Sequence, residues 1–583
     1  MISAILQFPR QLANRVVSMR RKTLITAILI CVCIYALSWL CWRVLGYLHY
    51  HAEHYFLLGL FSQIAAGLAV FAGIKSFARP GRRALLLAMI GVTLVGSFYV
   101  AGRPRLLHRI GQPKQMKIWS AFHYYLGAKY FPELGYRDLY REVLKADLEG
   151  GNRFSKVEKI RDMETYRSTD ADTIRELPRN EHWTDERWEE FVEDVEYMGR
   201  IRARSFWREP MADRGYNASP TWSAFGTWIT NRLDVSNVRH QTIMIALDPI
   251  MLLIAFGVSV WAFGWTRSLL VLLGVLLWYG TKGSMIGKIF QYDWFAASWA
   301  GIALLARKRF AWAGALFAYA SCSRIFPTIL FCGPALHFLR AWWKEKKLHP
   351  GLSKMALSAA LVGVLGIAIG ASAGRGWAGW SEFRDNISIH NKEHIWGARR
   401  VGLAHLMTMD IQSGLSDKWG DKRIKNLYKN NESTLTVLRI VLFGLCVWLM
   451  LRTSTANATL YGCILVYVLA ISSRYYAALY ALLLLASAAT RTRSPPGGIE
   501  PLRSPSRLAL DAGFFMILAT VHFADDTVLN PVYAFLLGNF LLFLWFGGHF
   551  WVTFQEKHHD QIESEAESIQ KRSNFSEERV QSV

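Results

Sequence analysis

The chain has 583 residues, 52 % of them hydrophobic, 14 % aromatic and only 19 % charged, with a formal net charge of +23. Soluble proteins average about 25 % charged residues, so the composition excludes a disordered chain, a disulfide-built secreted module and an ordinary soluble enzyme. The seven cysteines all lie in apolar runs and read as small buried hydrophobes.

The N-terminus carries Arg10, Arg15, Arg20, Arg21 and Lys22 ahead of an apolar run at 24–47. That run is too long for a signal-peptide core and no small-residue cleavage site follows it, so it is expected to stay as a first membrane helix. Further apolar runs fall at 55–76, 84–101, 242–264, 267–284, 292–306, 310–325, 327–341, 355–374, 434–451, 456–472, 475–490, 508–523 and 529–552. The expectation is an all-α integral membrane bundle of about 12–14 transmembrane helices. The pairs 310–325/327–341 and 456–472/475–490 nearly touch.

Charge tests this list. With the N-terminus cytoplasmic, the connections predicted inside contain Lys75/Arg79/Arg82/Arg83, Arg267, Arg307/Lys308/Arg309, Arg340/Lys344/Lys346/Lys347/Lys354, Arg452 and Arg491/Arg493/Arg503/Arg507. Each is basic, as cytoplasmic loops are. The +23 is then largely an orientation code, and the basic residues are not gathered on one domain as nucleic-acid binding requires. The organisation predicted is three spans within 1–101, an outer segment 102–241, spans within 242–374, a second outer loop 375–433, and spans within 434–552. A cytoplasmic linker at 491–507 interrupts the last group, and 553–583 is a disordered cytoplasmic tail. A bacterial inner membrane with both termini cytoplasmic is expected.

The outer segment 102–241 holds 24 Lys/Arg and 22 Asp/Glu, half of all acids in the chain. Within it, 118–149 shows Trp119, Phe122, Tyr125, Lys129 and Tyr130 at helical spacing, broken by Pro132 and resumed by Tyr136, Leu139, Tyr140, Val143 and Leu144. It predicts two amphipathic helices at the membrane surface, either sealing the domain or walling a site for a lipid-borne substrate. The acids Asp138, Asp147 and Asp162 follow this wall and are the candidate general bases. Asp170-Ala171-Asp172 has the D-x-D form that holds a divalent ion in many sugar transferases, in a loop acidic enough to produce it by chance. Trp183, Trp188, Phe191, Val195 and Met198 predict an amphipathic helix packing the outer domain.

Ionisable groups at span ends stand out, because charge in lipid is costly. Asp293 starts a span after Gln291-Tyr292, Arg324 sits in S-C-S-R-I-F-P, and Arg474 sits in I-S-S-R-Y-Y. His390 follows a span in the second outer loop. Two arginines and a histidine on one face can clamp a phosphate or pyrophosphate, or anchor to water at the interface. Asp248, before Pro249, reads as a helix-start residue. No phosphate-binding G-x-x-x-x-G-K-[ST], G-x-S-x-G or H-E-x-x-H occurs, which argues against a nucleotide-driven pump, a serine hydrolase and a zinc protease.

Several stretches together resemble a known family. They are Y-Y-L-G-A-K-Y-F-x-E-L-G-Y-x-D-L-Y early in the outer segment, Q-Y-D-W at a span start, and A-G-A-L-F-A-Y-A-S-C-S-R-I-F-P-T-I-L. W-x-x-F-x-x-N-I-x-x-H follows at Trp380, Phe383, Asn386, Ile387 and His390, then Val401-Gly402-Leu403. The chain resembles the C-type (GT-C) integral-membrane glycosyltransferases, nearest the bacterial family-87-like mannosyltransferase relatives, over roughly 84–490. The resemblance implies transfer of a sugar such as mannose from a polyprenyl-phosphate donor to a lipid or glycan acceptor at the periplasmic face, with membrane lipids as surroundings and no nucleic acid. It implies donor-phosphate contact at Arg324, matching roles for His390 and Arg474, and substrate contacts from His123, Lys129 and Asp293.

Such enzymes carry a catalytic acid just before the Y-Y-x-G stretch, where this chain has Ser120. Either another acid (Asp138, Asp147 or Asp162) serves, or the chain is not an active transferase. A lipid phosphate already leaves readily, so no cofactor is required; a divalent cation stays open. The other functional classes are a transporter or flippase of lipid-linked precursors and a non-catalytic membrane protein of the same architecture.

Overall fold

The computed structural model describes residues 116–276, 278, 287–394, 400–407, 421–486, 505–523 and 536–556. The expected spans at 24–47, 55–76 and 84–101, most of the 491–507 linker and the tail from 557 lie outside these residues. What is described is mostly helical.

Four helices are long and apolar enough to cross a membrane: α5 (Val238–Phe263), α10 (Pro350–Ala371), α12 (Glu432–Leu451) and α15 (Leu536–Glu556), with 26, 22, 20 and 21 residues. At about 1.5 Å per residue each reaches the ~30 Å of a hydrocarbon core. Their outward faces are apolar: Leu357, Leu361, Val364 and Leu365 on α10 are all more than half exposed, as are Leu253 and Ile254 on α5 and Val437 and Ile440 on α12. Such a surface suits lipid and not water. Shorter apolar helices complete the bundle: α6 (Trp265–Leu276), α7 (Asp293–Ala306), α8 (Phe310–Ser323), α9 (Cys332–Glu345), α13 (Thr455–Leu469) and α14 (Pro505–Phe523). α7 packs between α5 and α8, α8 packs along α10, and α9 against α12 and α13.

The runs that nearly touch in the sequence are joined through short non-helical breaks. α8 ends at Ser323, Arg324 is extended (φ −145°, ψ 145°), and a 3₁₀ turn over Phe326–Phe331 leads into α9. α13 ends at Leu469, β4 (Ser472–Ser473) follows, and a 3₁₀ helix runs over Tyr476–Leu485. The breaks meet: the Phe326 and Tyr476 rings are 4.7 Å apart. In a membrane protein, irregular backbone is tolerated where it is buried in protein or lines a cavity.

The domain expected on the outer side, hereafter the outer domain, is built on α1 (Ile118–Lys129), α2 (Leu139–Glu149), α3 (Asp185–Ile201) and α4 (Pro220–Thr230). α3 buries Trp188, Phe191, Val195 and Met198, the stripe its sequence shows, and Thr184 caps it by accepting the Arg187 amide. α1 corrects the surface-helix expectation. Ten of its twelve residues are buried, because α2, α3 and α4 all pack on it. Its Tyr and Trp residues imitate an interfacial belt but form the domain core. A hairpin of β1 (Lys159–Arg161) and β2 (Ser168–Asp170) pairs antiparallel, Lys159 opposite Asp170. β3 (Arg400–Val401) pairs with β4, Arg400 opposite Ser473. α11 (Ala378–His394) lies between, its Phe383 ring against Tyr136 and its Asn386 donating to Asn217 Oδ1 at 2.9 Å.

Asp248 also differs from expectation. It lies inside α5 and does not start a helix. Its fully buried carboxylate accepts the Gln291 and Tyr292 amides at 3.0 and 2.8 Å. It thereby fixes the chain entering α7.

Candidate functional site

The α8 break sets Arg324 at the junction of the bundle and the outer domain. Ser219, the N-cap of α4, accepts the Trp222 amide and donates to the Cys322 carbonyl at 2.6 Å, which ties α4 to the end of α8. The Trp222 ring then lies 5.4 Å from the Arg324 guanidinium. Arg324 is 6 % exposed. Among the described residues its guanidinium makes one hydrogen bond, 2.9 Å to the Ser323 carbonyl, and no ion pair. It has five N–H donors.

Asp293, at the first turn of α7, is the nearest acid in effect. Its Oδ2 accepts Ser323 Oγ at 2.5 Å and Tyr319 OH at 3.0 Å. Its Oδ1 is buried with no hydrogen-bond partner among the described residues. The Arg324 charge acts on it, yet the two do not pair. Tyr476, Tyr124 and Tyr475 act electrostatically on the guanidinium. Lys288 stands on the same side, its ammonium 5.9 Å from the Tyr475 ring. Burial, then the Arg474 charge, push it down to about 8. Arg474 is exposed, and its carbonyl accepts Trp278 Nε1 at 2.6 Å.

Tyr124 links this group to a second one. Burial, Tyr475 and Asp213 raise its hydroxyl, and Arg324 opposes them. Asp213 and Arg214 occupy a loop that other elements grip. Trp119 Nε1 donates to Asp213 Oδ2 at 2.8 Å. Arg161 Nε donates to the Ala212 and Asp213 carbonyls at 3.0 and 2.8 Å. The Gly215 amide donates to Tyr140 OH at 2.8 Å. Gly215 has φ +66°, and a Cβ there would sit 2.7 Å from Met163 Cε, so the turn favours glycine. Across from it, His390 Nδ1 is 3.1 Å from Tyr166 OH. Burial, Arg400 and Arg214 push His390 down to about 4, against Asp213. Arg400 donates to Ser473 Oγ at 2.5 Å across the β3–β4 pair, and its charge, like that of Arg324, reaches Tyr475.

The other candidates have structural partners. His123 contacts the Trp119 carbonyl and Tyr140 OH, each at 2.8 Å, inside the core; burial lowers it. It acts behind the site, since Tyr140 and Trp119 are what grip the Asp213 loop. The Lys129 ammonium is 2.7 Å from both Asp194 and Glu190. Asp147 accepts the Arg153 and Phe154 amides at 2.5 and 2.9 Å and closes the turn after α2; burial raises its carboxyl. Asp162 makes the β1–β2 turn, accepting from Glu164 N and Thr165 Oγ1 and pairing with Arg141 at 2.8 Å. Burial pushes Asp162 up, but these donors outweigh it and hold it below the ordinary range. Asp138 opens α2, half-buried, 3.8 Å from Arg141; burial raises it. None of these three acids shares a partner with Arg324.

Asp170 caps a one-turn helix by accepting the Asp172 amide, and Asp172 pairs with Arg175 at 2.5 Å. The D-x-D is thus built into a cap. Among the described residues no group of three His, Cys, Asp or Glu side chains could hold a metal ion. Sequence reading missed Tyr124, Asp213, Trp222, Lys288 and Arg400. Tyr124 lies inside a quoted motif, and Arg400 and Lys288 lie just before two others, while Asp213 and Trp222 have no such signal. No protein-family model, curated protein or solved structure matches the chain.

Proposed function

We propose that the chain is a polytopic glycosyltransferase of the GT-C type, with about 12–14 spans, in a bacterial inner membrane with both termini cytoplasmic. It transfers a sugar such as mannose from a polyprenyl-phosphate donor to a lipid or glycan acceptor on the periplasmic face. The observation that carries this reading is Arg324. A buried guanidinium with an aromatic ring beside it, one hydrogen bond and no paired carboxylate is expensive unless an anion completes it. A phosphate offers two oxygens that fit its fork. Lys288 and Arg474 add positive charge on the same side.

Asp213 is the proposed base. One carboxylate oxygen is taken by Trp119; the other serves the acceptor hydroxyl. Trp119 adjoins Ser120, so a carboxylate from later in the loop reaches the neighbourhood where the resemblance expects one. The acceptor proton passes to Asp213 as its oxygen bonds to the sugar's anomeric carbon. The bond from that carbon to the phosphate oxygen breaks, and its electron pair leaves with the lipid phosphate, stabilised by Arg324. Asp293 influences the Arg324 charge without pairing with it, which leaves the guanidinium to the phosphate.

The test uses membranes carrying the full chain and radiolabelled polyprenyl-phosphate mannose. Wild type should move label into lipid or polymer, and Asp213→Asn and Arg324→Gln should lose on the order of 100-fold or more. Full transfer by both variants would sink the assignment. Vesicles that translocate the labelled lipid unchanged, with no transfer, would mark a flippase instead.

A further inference from the structure

The resemblance ends near residue 490, which would leave the last two helices as anchors. α15 does more than anchor. Asn539, fully buried on α15, holds β3 with both ends of its side chain: Oδ1 accepts the Gly402 amide at 2.8 Å, and Nδ2 donates to the Arg400 carbonyl at 2.9 Å. The Asn539 carbonyl in turn accepts Tyr467 OH from α13 at 2.7 Å. β3 is only two residues long, and its partner β4 belongs to the α13 break. Gly402 has φ +156°, and a Cβ there would sit 2.4 Å from the Ala470 carbonyl oxygen, so the strand presses against that break. A two-residue pair fixes little by itself; the amide on α15 supplies a third wall.

We propose that Asn539 is a positioning residue for Arg400, so that the last membrane helix completes the site formed by the outer domain and the two helix breaks. The role rests on the functional reading only through the place of Arg400 in that site. An amide suits the task because it offers an acceptor and a donor on separate atoms to two backbone groups of opposite need. Removing it frees the strand that aims the Arg400 charge toward His390 and Tyr475. Arg214, Asp213 and Tyr166 also face His390, so the Arg400 contribution is read as a change between variants.

The test has two arms on the purified full chain in detergent. In the first, carbethoxylation of the His390 peptide is followed by mass spectrometry against pH. Asn539→Leu and Asn539→Ser, both neutral, should move its half-point upward from the wild-type value, because a displaced Arg400 no longer opposes protonation. Tyr467→Phe, which keeps the side-chain clamp, should not. In the second arm, sugar transfer should fall roughly 10- to 100-fold in kcat/KM for both Asn539 variants, with Tyr467→Phe near wild type. If Asn539→Leu fails to fold, Asn539→Ser decides alone, since it is neutral and keeps a polar group at the strand. An unshifted His390 in a folded Asn539 variant overturns the proposal. The first arm needs no transfer, so an inactive wild type defeats the functional reading without touching this one.

Discussion

Asp248 offers the clearest energetic prediction. Its carboxylate, buried inside α5, receives two backbone amides at 3.0 and 2.8 Å. Hydrogen bonds to a charged group contribute about 1.5–3 kcal/mol each, and a buried amide left without a partner costs about 1–3 kcal/mol. Asp248→Ala strands both amides, so a loss of roughly 3–5 kcal/mol is expected. Asp248→Asn keeps one acceptor but turns an NH₂ against the other amide, and should lose about half as much. Because those amides lead directly into α7, the Asn variant should also displace Asp293 and weaken donor binding. Denaturant midpoints followed by tryptophan fluorescence, with the chain held in one detergent, would give the stability change. An Asp248→Ala protein as stable as wild type would refute the reasoning.

Two further predictions concern the outer domain. Lys129→Met leaves Asp194 and Glu190 without their buried cation and should cost roughly 3–5 kcal/mol; adding Asp194→Leu should restore most of the stability. A Lys129→Met chain that folds normally and fails only in donor binding would return Lys129 to the substrate site. His390 is held near 4, below its ordinary 6.5. Stability is therefore full above 6.5 and falls as pH drops toward 4, where the unfolded chain takes a proton that the fold refuses. At about 1.4 kcal/mol per unit the loss is at most ~3.5 kcal/mol. His390→Gln should lose less stability than wild type between pH 7 and 4.5, and equal losses would contradict the burial argument.

The helices of the bundle were legible in the sequence because lipid demands long apolar runs, and the stripe on α3 because water and core demand different faces. The near-touching runs marked the α8 and α13 breaks. Of the proposed site, Arg324, Asp293, Arg474 and His390 were visible in the sequence, where charge interrupts apolar sequence. The site was not legible at Asp213 or Arg400, whose importance comes from Trp119, Arg161 and Asn539, distant in sequence. Asp138, Asp147 and Asp162 looked catalytic, and Lys129 looked substrate-binding, because a carboxylate or ammonium reads the same before its tertiary partners are known. α1 looked interfacial because tyrosine and tryptophan serve a membrane belt and a buried core alike.

The central claim is that Arg324 awaits a lipid phosphate. Its most direct test is the affinity of the purified full chain, in nanodiscs, for a polyprenyl phosphate bearing no sugar. A charged hydrogen bond worth ~1.5–3 kcal/mol corresponds to a factor of roughly 10–150. Arg324→Gln is therefore predicted to bind the phosphate that much more weakly than wild type, while the matching polyprenyl alcohol binds both poorly. Equal affinity of wild type and Arg324→Gln for the phosphate would contradict the account.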